Sequence, residues 1–89
     1  MTIETIHADE MNDLAGRIEG LSWAVLHITA ALEIKELIDG PHLSKMWRQA
    51  LSKGNEQSLM RQSARDYLAK LADLLDEARE YRQSLAKTD

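Results

Sequence analysis

A heptad pattern in the first half of the chain restricts the fold to helices. Apolar residues recur there in alternating steps of three and four over three repeats, the spacing of one face of an α-helix. This set, called the seam below, consists of Met11, Leu14, Ile18, Leu21, Val25, Ile28 and Leu32. The pattern predicts one long helix over about residues 9–39, with Asp9 as the N-cap and Gly40 followed by Pro41 as the stop. An earlier start at Thr5 is the alternative.

A second heptad pattern occupies the last third of the chain and predicts another long helix, over about residues 56–86. Its apolar positions are Met60, Ala64, Tyr67, Leu71, Leu74, Ala78, Tyr81 and Leu85. Between the long helices, an amphipathic stretch predicts a short helix over about residues 42–53. Gly54 and Asn55 mark its expected end.

The first helix also carries apolar residues on a side away from the seam. We call this set the second row, and it comprises Trp23, Leu26, Ala30, Ile34 and Leu37. The predicted partner interface consists of the second row together with His27 and with Trp47 of the short helix. A helix that is apolar on two sides must be covered on two sides. We expect the last helix to cover the seam and the short helix to cover part of the second row.

These elements predict an all-α protein with one domain over residues 1–89, built as an antiparallel bundle of a long, a short and a long helix. The short helix is too short to cover the apolar surface that remains. Two arrangements solve this: a lopsided three-helix monomer, or a homodimer that completes a four-helix type of bundle. We favour the homodimer, because small chains often need a second copy to assemble enough core.

Charge is unevenly distributed along the sequence. Residues 1–40 carry a net charge of −6, residues 41–65 carry +4 and residues 66–89 carry −2, which sum to the formal charge of −4. Overall acidity argues against general nucleic-acid binding. The basic middle is the exception, and its candidate phosphate contacts are Lys45, Arg48, Lys53, Arg61 and Arg65.

The residues offer no pattern typical of an enzyme, a metal site or a cofactor site. The sequence has no cysteine and none of the common phosphate-binding, nucleophile or zinc motifs. Glu4 and His7 have the spacing of half a di-iron motif, but no second such motif occurs. We therefore expect no catalytic residues, no metal and no cofactor. A small-molecule site around Trp23, His27 and Trp47 stays open as a lesser alternative.

We predict a cytoplasmic protein, since cysteine is absent and the acidic start, MTIETIHADE, does not resemble a secretory signal. The leading function is protein–protein contact, as a homodimeric adaptor or regulator. One alternative is a small acidic inhibitor, of the kind found in phages and mobile elements, that binds a basic nucleic-acid-binding protein. Another is a nucleic-acid-associated accessory protein that uses the basic region 45–65. The run from Asn12 to Leu21 resembles small helical proteins of enterobacteria and their phages, a resemblance that implies no activity.

Overall fold

The computed structural model describes residues 3–51 and 58–87, with side chains from residue 7 onward within those ranges. These residues form three helices and no strand: α1 (Ile3–Ile34), α2 (Gly40–Gln49) and α3 (Leu59–Lys87). The predicted all-helical order of long, short and long is confirmed. At 1.5 Å per residue, α1 is about 48 Å long and α2 only about 15 Å.

Helix α1 differs from its prediction at both ends. It begins at Ile3, so Asp9 lies inside the helix rather than at its N-cap. It ends at Ile34, five residues before the predicted end at residue 39. There the Glu36 N–H donates to Glu33 O and the Leu37 N–H donates to Leu32 O, both at 2.9 Å. Glu36 has a φ of 60°. This is a Schellman-type end in which a glutamate occupies the position that usually holds glycine.

Gly40 and Pro41 belong to the start of α2 and not to the end of α1. Asp39 is the N-cap of α2, and its carboxylate accepts the His42 N–H at 3.0 Å. Proline suits the first turn, because the amide hydrogen that it lacks would have no partner within the helix. Helix α2 begins two residues before its predicted start at residue 42 and ends at Gln49 instead of residue 53. The predicted stop at Gly54 and Asn55 lies outside the described residues.

Helix α3 begins at Leu59 instead of residue 56, because Ser58 caps it. The Ser58 hydroxyl accepts the Arg61 N–H at 3.1 Å, which satisfies one of the amide hydrogens left free at a helix start. The helix ends at Lys87, one residue beyond the prediction.

The two long helices run in the same direction, not antiparallel to each other. Ser22 of α1 is hydrogen-bonded to Tyr67 of α3, and Glu33 of α1 pairs with Arg79 of α3. Residue numbers therefore rise together along both helices. Helix α2 runs antiparallel to α3. Its first residue, Gly40, lies beside Glu33, which pairs with Arg79 of α3. Its later residue Arg48 binds Asp73 and Asp76, which precede Arg79 in α3. The return through α2 brings α1 and α3 into a parallel pair.

The core is small and lies where the three helices meet. Leu26 of α1 is 7% exposed and packs with Leu71 and Leu75 of α3. Leu43 and Trp47 of α2 pack against this cluster. The radius of gyration is 16.8 Å, whereas a compact chain of this length would have about 12 Å. The single chain is therefore elongated, with much of α1 outside the core.

Candidate protein-binding surface

The seam of α1 is exposed, although its heptad spacing predicted that α3 would cover it. Six of its residues are between 36 and 70% exposed: Met11, Leu14, Ile18, Leu21, Val25 and Ile28. Leu32 is half-buried. From Met11 to Ile28 the exposed stripe extends for about 26 Å along one side of the helix. Continuous apolar surface of this kind marks interaction sites in soluble proteins.

The row that α1 turns toward α3 is displaced by one residue from the seam. It contains Ser22, Leu26, Thr29 and Glu33, in place of Leu21, Val25, Ile28 and Leu32. One residue corresponds to about 100° around an α-helix. The seam therefore faces roughly at right angles to α3, and the prediction that α3 covers it is wrong.

Polar groups hold this displaced row against α3. The Ser22 hydroxyl is bonded to the Tyr67 hydroxyl and also donates to Ile18 O at 2.6 Å. The Thr29 hydroxyl donates to Val25 O at 2.7 Å, which satisfies it within its own helix. Buried hydroxyls are tolerated when they have such partners. The row can thus be buried without being uniformly apolar.

Glu33 forms the junction of all three helices. Its side chain is only 10% exposed and pairs with the Arg79 guanidinium, and Arg82 lies 3.6 Å from its second carboxylate oxygen. Gly40, the first residue of α2, lies directly against the same carboxylate. The positive end of the α2 dipole favours a negative charge there. Glu33 is therefore part of the contact between the helices and is not available to an external partner.

A chain of ion pairs continues from this junction along the α2–α3 interface. Arg79 Nη1 binds Asp76 at 2.9 Å, and Arg48 Nη2 binds Asp76 at 2.6 Å and Asp73 at 2.8 Å. Partial burial raises the pKa of Asp76, but hydrogen bonds from Arg48 and Arg79 outweigh it, so the pKa lies below its ordinary value. The hydrogen bonds to Asp73 and Asp76 raise the pKa of Arg48. Burial alone would lower the pKa of Arg79, but its bonds to Glu33 and Asp76 raise it.

The described residues among the predicted phosphate contacts lie on two helices, α2 and α3. The Arg48 guanidinium is bound by two carboxylates of α3. Lys45 is exposed on α2, whereas Arg61 and Arg65 lie half-buried in the first two turns of α3. Lys53 lies outside the described residues.

The predicted interface residues divide between the core and the surface. Leu26 is buried within the chain, and Trp47 packs against its cluster. Ala30 is half-buried. The other predicted interface residues are exposed, and they are Trp23, His27, Ile34 and Leu37. The Trp23 and His27 rings are tilted against each other, with centroids 6.0 Å apart.

A groove of about 480 Å³ separates the middle of α1 from α3. Its walls are mostly apolar and include Ile18, Trp23 and Leu26 from α1 and Leu71 and Leu74 from α3. Neither His27 nor Trp47 lines it. The groove therefore differs from the small-molecule site that the sequence suggested. The sequence does not predict it, because it arises from how the two long helices diverge.

The outer half of α1 is an exposed acidic segment. Every side chain from residue 7 to residue 21 is exposed. The four acids in this segment, Asp9, Glu10, Asp13 and Glu19, outnumber the single base, Arg17. Asp13 and Arg17 form a surface ion pair at 3.0 Å.

The described residues also bear on two other kinds of site. No group of three or more His, Asp or Glu side chains there is placed to hold a metal ion. The same part of the chain contains no helix with the length and apolarity needed to cross a membrane.

Comparison of the chain with protein families, curated proteins and solved structures found no match.

Proposed function

We propose that this chain functions by protein–protein contact, as a homodimeric adaptor or regulator, and that the seam of α1 is its principal contact surface. The exposed seam supports this proposal most directly. The most regularly apolar side of α1 faces water, while the row against α3 includes two hydroxyls and a carboxylate. Leaving such a stripe in water is unfavourable, and a second copy would bury it on both chains at once.

The geometry of α1 favours a bundle of four long helices. In such a bundle each helix contacts two neighbours on adjacent sides. Since α3 lies on one side of α1 and the seam faces about 100° away, a second copy on the seam would take the other neighbouring position. The proposal assigns no reaction to the chain.

One matched pair of substitutions distinguishes the seam from the second row. Ile28 on the seam is 62% exposed and Ile34 on the second row is 61% exposed. Both belong to α1, and they face directions about 120° apart. We expect Ile28→Lys to convert the dimer into a monomer, because a lysine in an apolar interface must lose its hydration. We expect Ile34→Lys to leave the dimer intact.

Sedimentation equilibrium of both variants and the wild-type protein, at equal concentration and salt, measures this difference. Circular dichroism serves as the folding control. If Ile34→Lys dissociates the dimer and Ile28→Lys does not, the second row is the interface and the assignment of the seam is wrong.

A second candidate function is binding to a basic protein surface, and the acidic outer half of α1 supports it. Residues 7–21 carry four acids and one base on exposed side chains. Such a segment would raise the association rate with a basic partner, including one that binds nucleic acid. The nucleic-acid alternative has less support, because the Arg48 guanidinium is already bound by Asp73 and Asp76.

A further inference from the structure

We infer that the second copy packs its α1 antiparallel to α1 of the first, centred between residues 19 and 20. This inference rests on the proposed homodimer and adds its orientation. The exposed seam residues from Met11 to Ile28 are separated by three, four, three, four and three positions. That series is the same in either direction, so a reversed copy of the helix places every exposed seam residue against another.

The antiparallel register produces three kinds of contact, each made twice. Met11 faces Ile28 of the second copy, Leu14 faces Val25 of the second copy, and Ile18 faces Leu21 of the second copy. All six side chains are exposed in the single chain. No exposed seam residue is left without an apolar neighbour, as the burial of a continuous apolar stripe requires.

Charge favours the antiparallel orientation over the parallel one. A parallel pair would bring the acidic ends of both α1 helices, each with Asp9, Glu10 and Asp13, to the same end of the pair, where like charges repel. The nearest base, Arg17, already pairs with Asp13 of its own chain at 3.0 Å.

The antiparallel register instead moves the acidic residues 9–13 to the level of residues 26–30 of the second copy. Ser22 of α1 lies beside Tyr67 of α3, and Glu33 of α1 lies beside Arg79. Residues 26–30 lie between Ser22 and Glu33, so they are at the level of Asp73 and Asp76 of α3. Helix α2 lies there, with Arg48 bound to both of those aspartates and Lys45 exposed. The acidic end of one α1 thus lies at the level of the basic helix of the other copy.

Small residues at the border of the seam permit close approach. Ala24 and Ala31 border it on the side away from α3, and both are exposed. Their methyl groups leave room for a neighbouring helix backbone in either orientation. They therefore support the seam as a contact surface but do not distinguish a parallel from an antiparallel pair.

Single-cysteine crosslinking tests the orientation directly, because the natural sequence has no cysteine. The two variants are Leu14→Cys and Val25→Cys, both at exposed positions. In the antiparallel register, the new thiol at position 14 of one chain meets the new thiol at position 25 of the other. Two copies of position 14 lie about 16 Å apart along the helix axis, which is too far for a disulfide.

We expect a disulfide-linked dimer when the two variants are mixed, unfolded together, refolded and oxidised, and only background crosslinking from either variant alone. Leu59→Cys, an exposed position on α3 away from the seam, measures the background from random collision. Efficient crosslinking of either seam variant alone would show a parallel pair. Background crosslinking in every sample, from a protein that is dimeric by sedimentation, would also overturn the inferred register. A wild-type monomer would instead overturn the proposed homodimer itself.

Discussion

Gly40 is a residue at which α2 lies in close contact with α1. Its Cα lies against the carboxylate of Glu33, which also pairs with Arg79 and Arg82. A methyl group at this position would occupy the space of that carboxylate. Gly20, in the middle of α1, is the opposite case, because an added methyl group would meet no atom within 4 Å.

The same substitution at these two glycines should therefore have opposite effects. We expect Gly40→Ala to lower the free energy of unfolding by about 1–3 kcal/mol, since it displaces a paired carboxylate in a packed site. We expect Gly20→Ala to raise the free energy of unfolding by about 1 kcal/mol, because alanine is favoured over glycine inside a helix. Urea denaturation at one fixed protein concentration measures both. Shifts in the same direction would contradict the close contact assigned to Gly40.

At the scale of the elements, the ion pairs between α2 and α3 make stability depend on pH. The pKa of Asp76 is lower in the folded protein than its ordinary value, because Arg48 and Arg79 donate to its carboxylate. A group of this kind adds stability above its unfolded pKa and loses that contribution as the pH falls through its folded pKa. The contribution of Asp76 is therefore complete at neutral pH and declines below about pH 4.

We expect Asp76→Asn to be less stable than the wild-type protein at pH 7 and to lose less additional stability between pH 5 and acidic pH. The control is Asp13→Asn, which removes the carboxylate of an exposed pair with Arg17. Exposed pairs contribute little, so this variant should follow the wild-type curve. Denaturation series at several pH values provide the test. An unchanged acid dependence in Asp76→Asn would show that this network does not couple α2 to α3.

The sequence was sufficient to predict the helices but not the row of α1 that is buried. Heptad spacing predicted a long helix in each of the regions that α1 and α3 occupy, since periodicity is a local property of the chain. The burial of Ser22 and Glu33 depends on Tyr67 and Arg79, which are 45 and 46 residues away. Neither pair has a local sequence signal, and a row containing serine, threonine and glutamate does not look like a core.

The predicted boundaries of α1 and α2 differ from the observed ones for a related reason. A glycine followed by a proline usually ends a helix, but here Glu36 adopts the left-handed conformation and ends α1 earlier. Asp39 then caps a new helix that starts on that glycine. The candidate surface was therefore only half predicted: the seam residues were found from the sequence, but they were assigned to the interior.

At the scale of the whole molecule, the chain is elongated and has a small core. Its dimensions are 57 × 35 × 20 Å, and only four apolar residues among those described are buried. They are Leu26, Leu71, Ala72 and Leu75. A chain of this length buries roughly 60–65% of its unfolded surface even when compact. A second copy on the seam would enlarge the core where the single chain lacks one.

Small-angle X-ray scattering of the wild-type protein over a wide concentration range tests the central claim, that the exposed seam is covered by a second copy of the chain. The measured quantities are the molecular mass from the forward scattering and the radius of gyration. We predict a mass twice that of the chain, falling toward the single-chain value only on strong dilution. A single-chain mass at every concentration, with a radius of gyration near 16.8 Å, would contradict the claim.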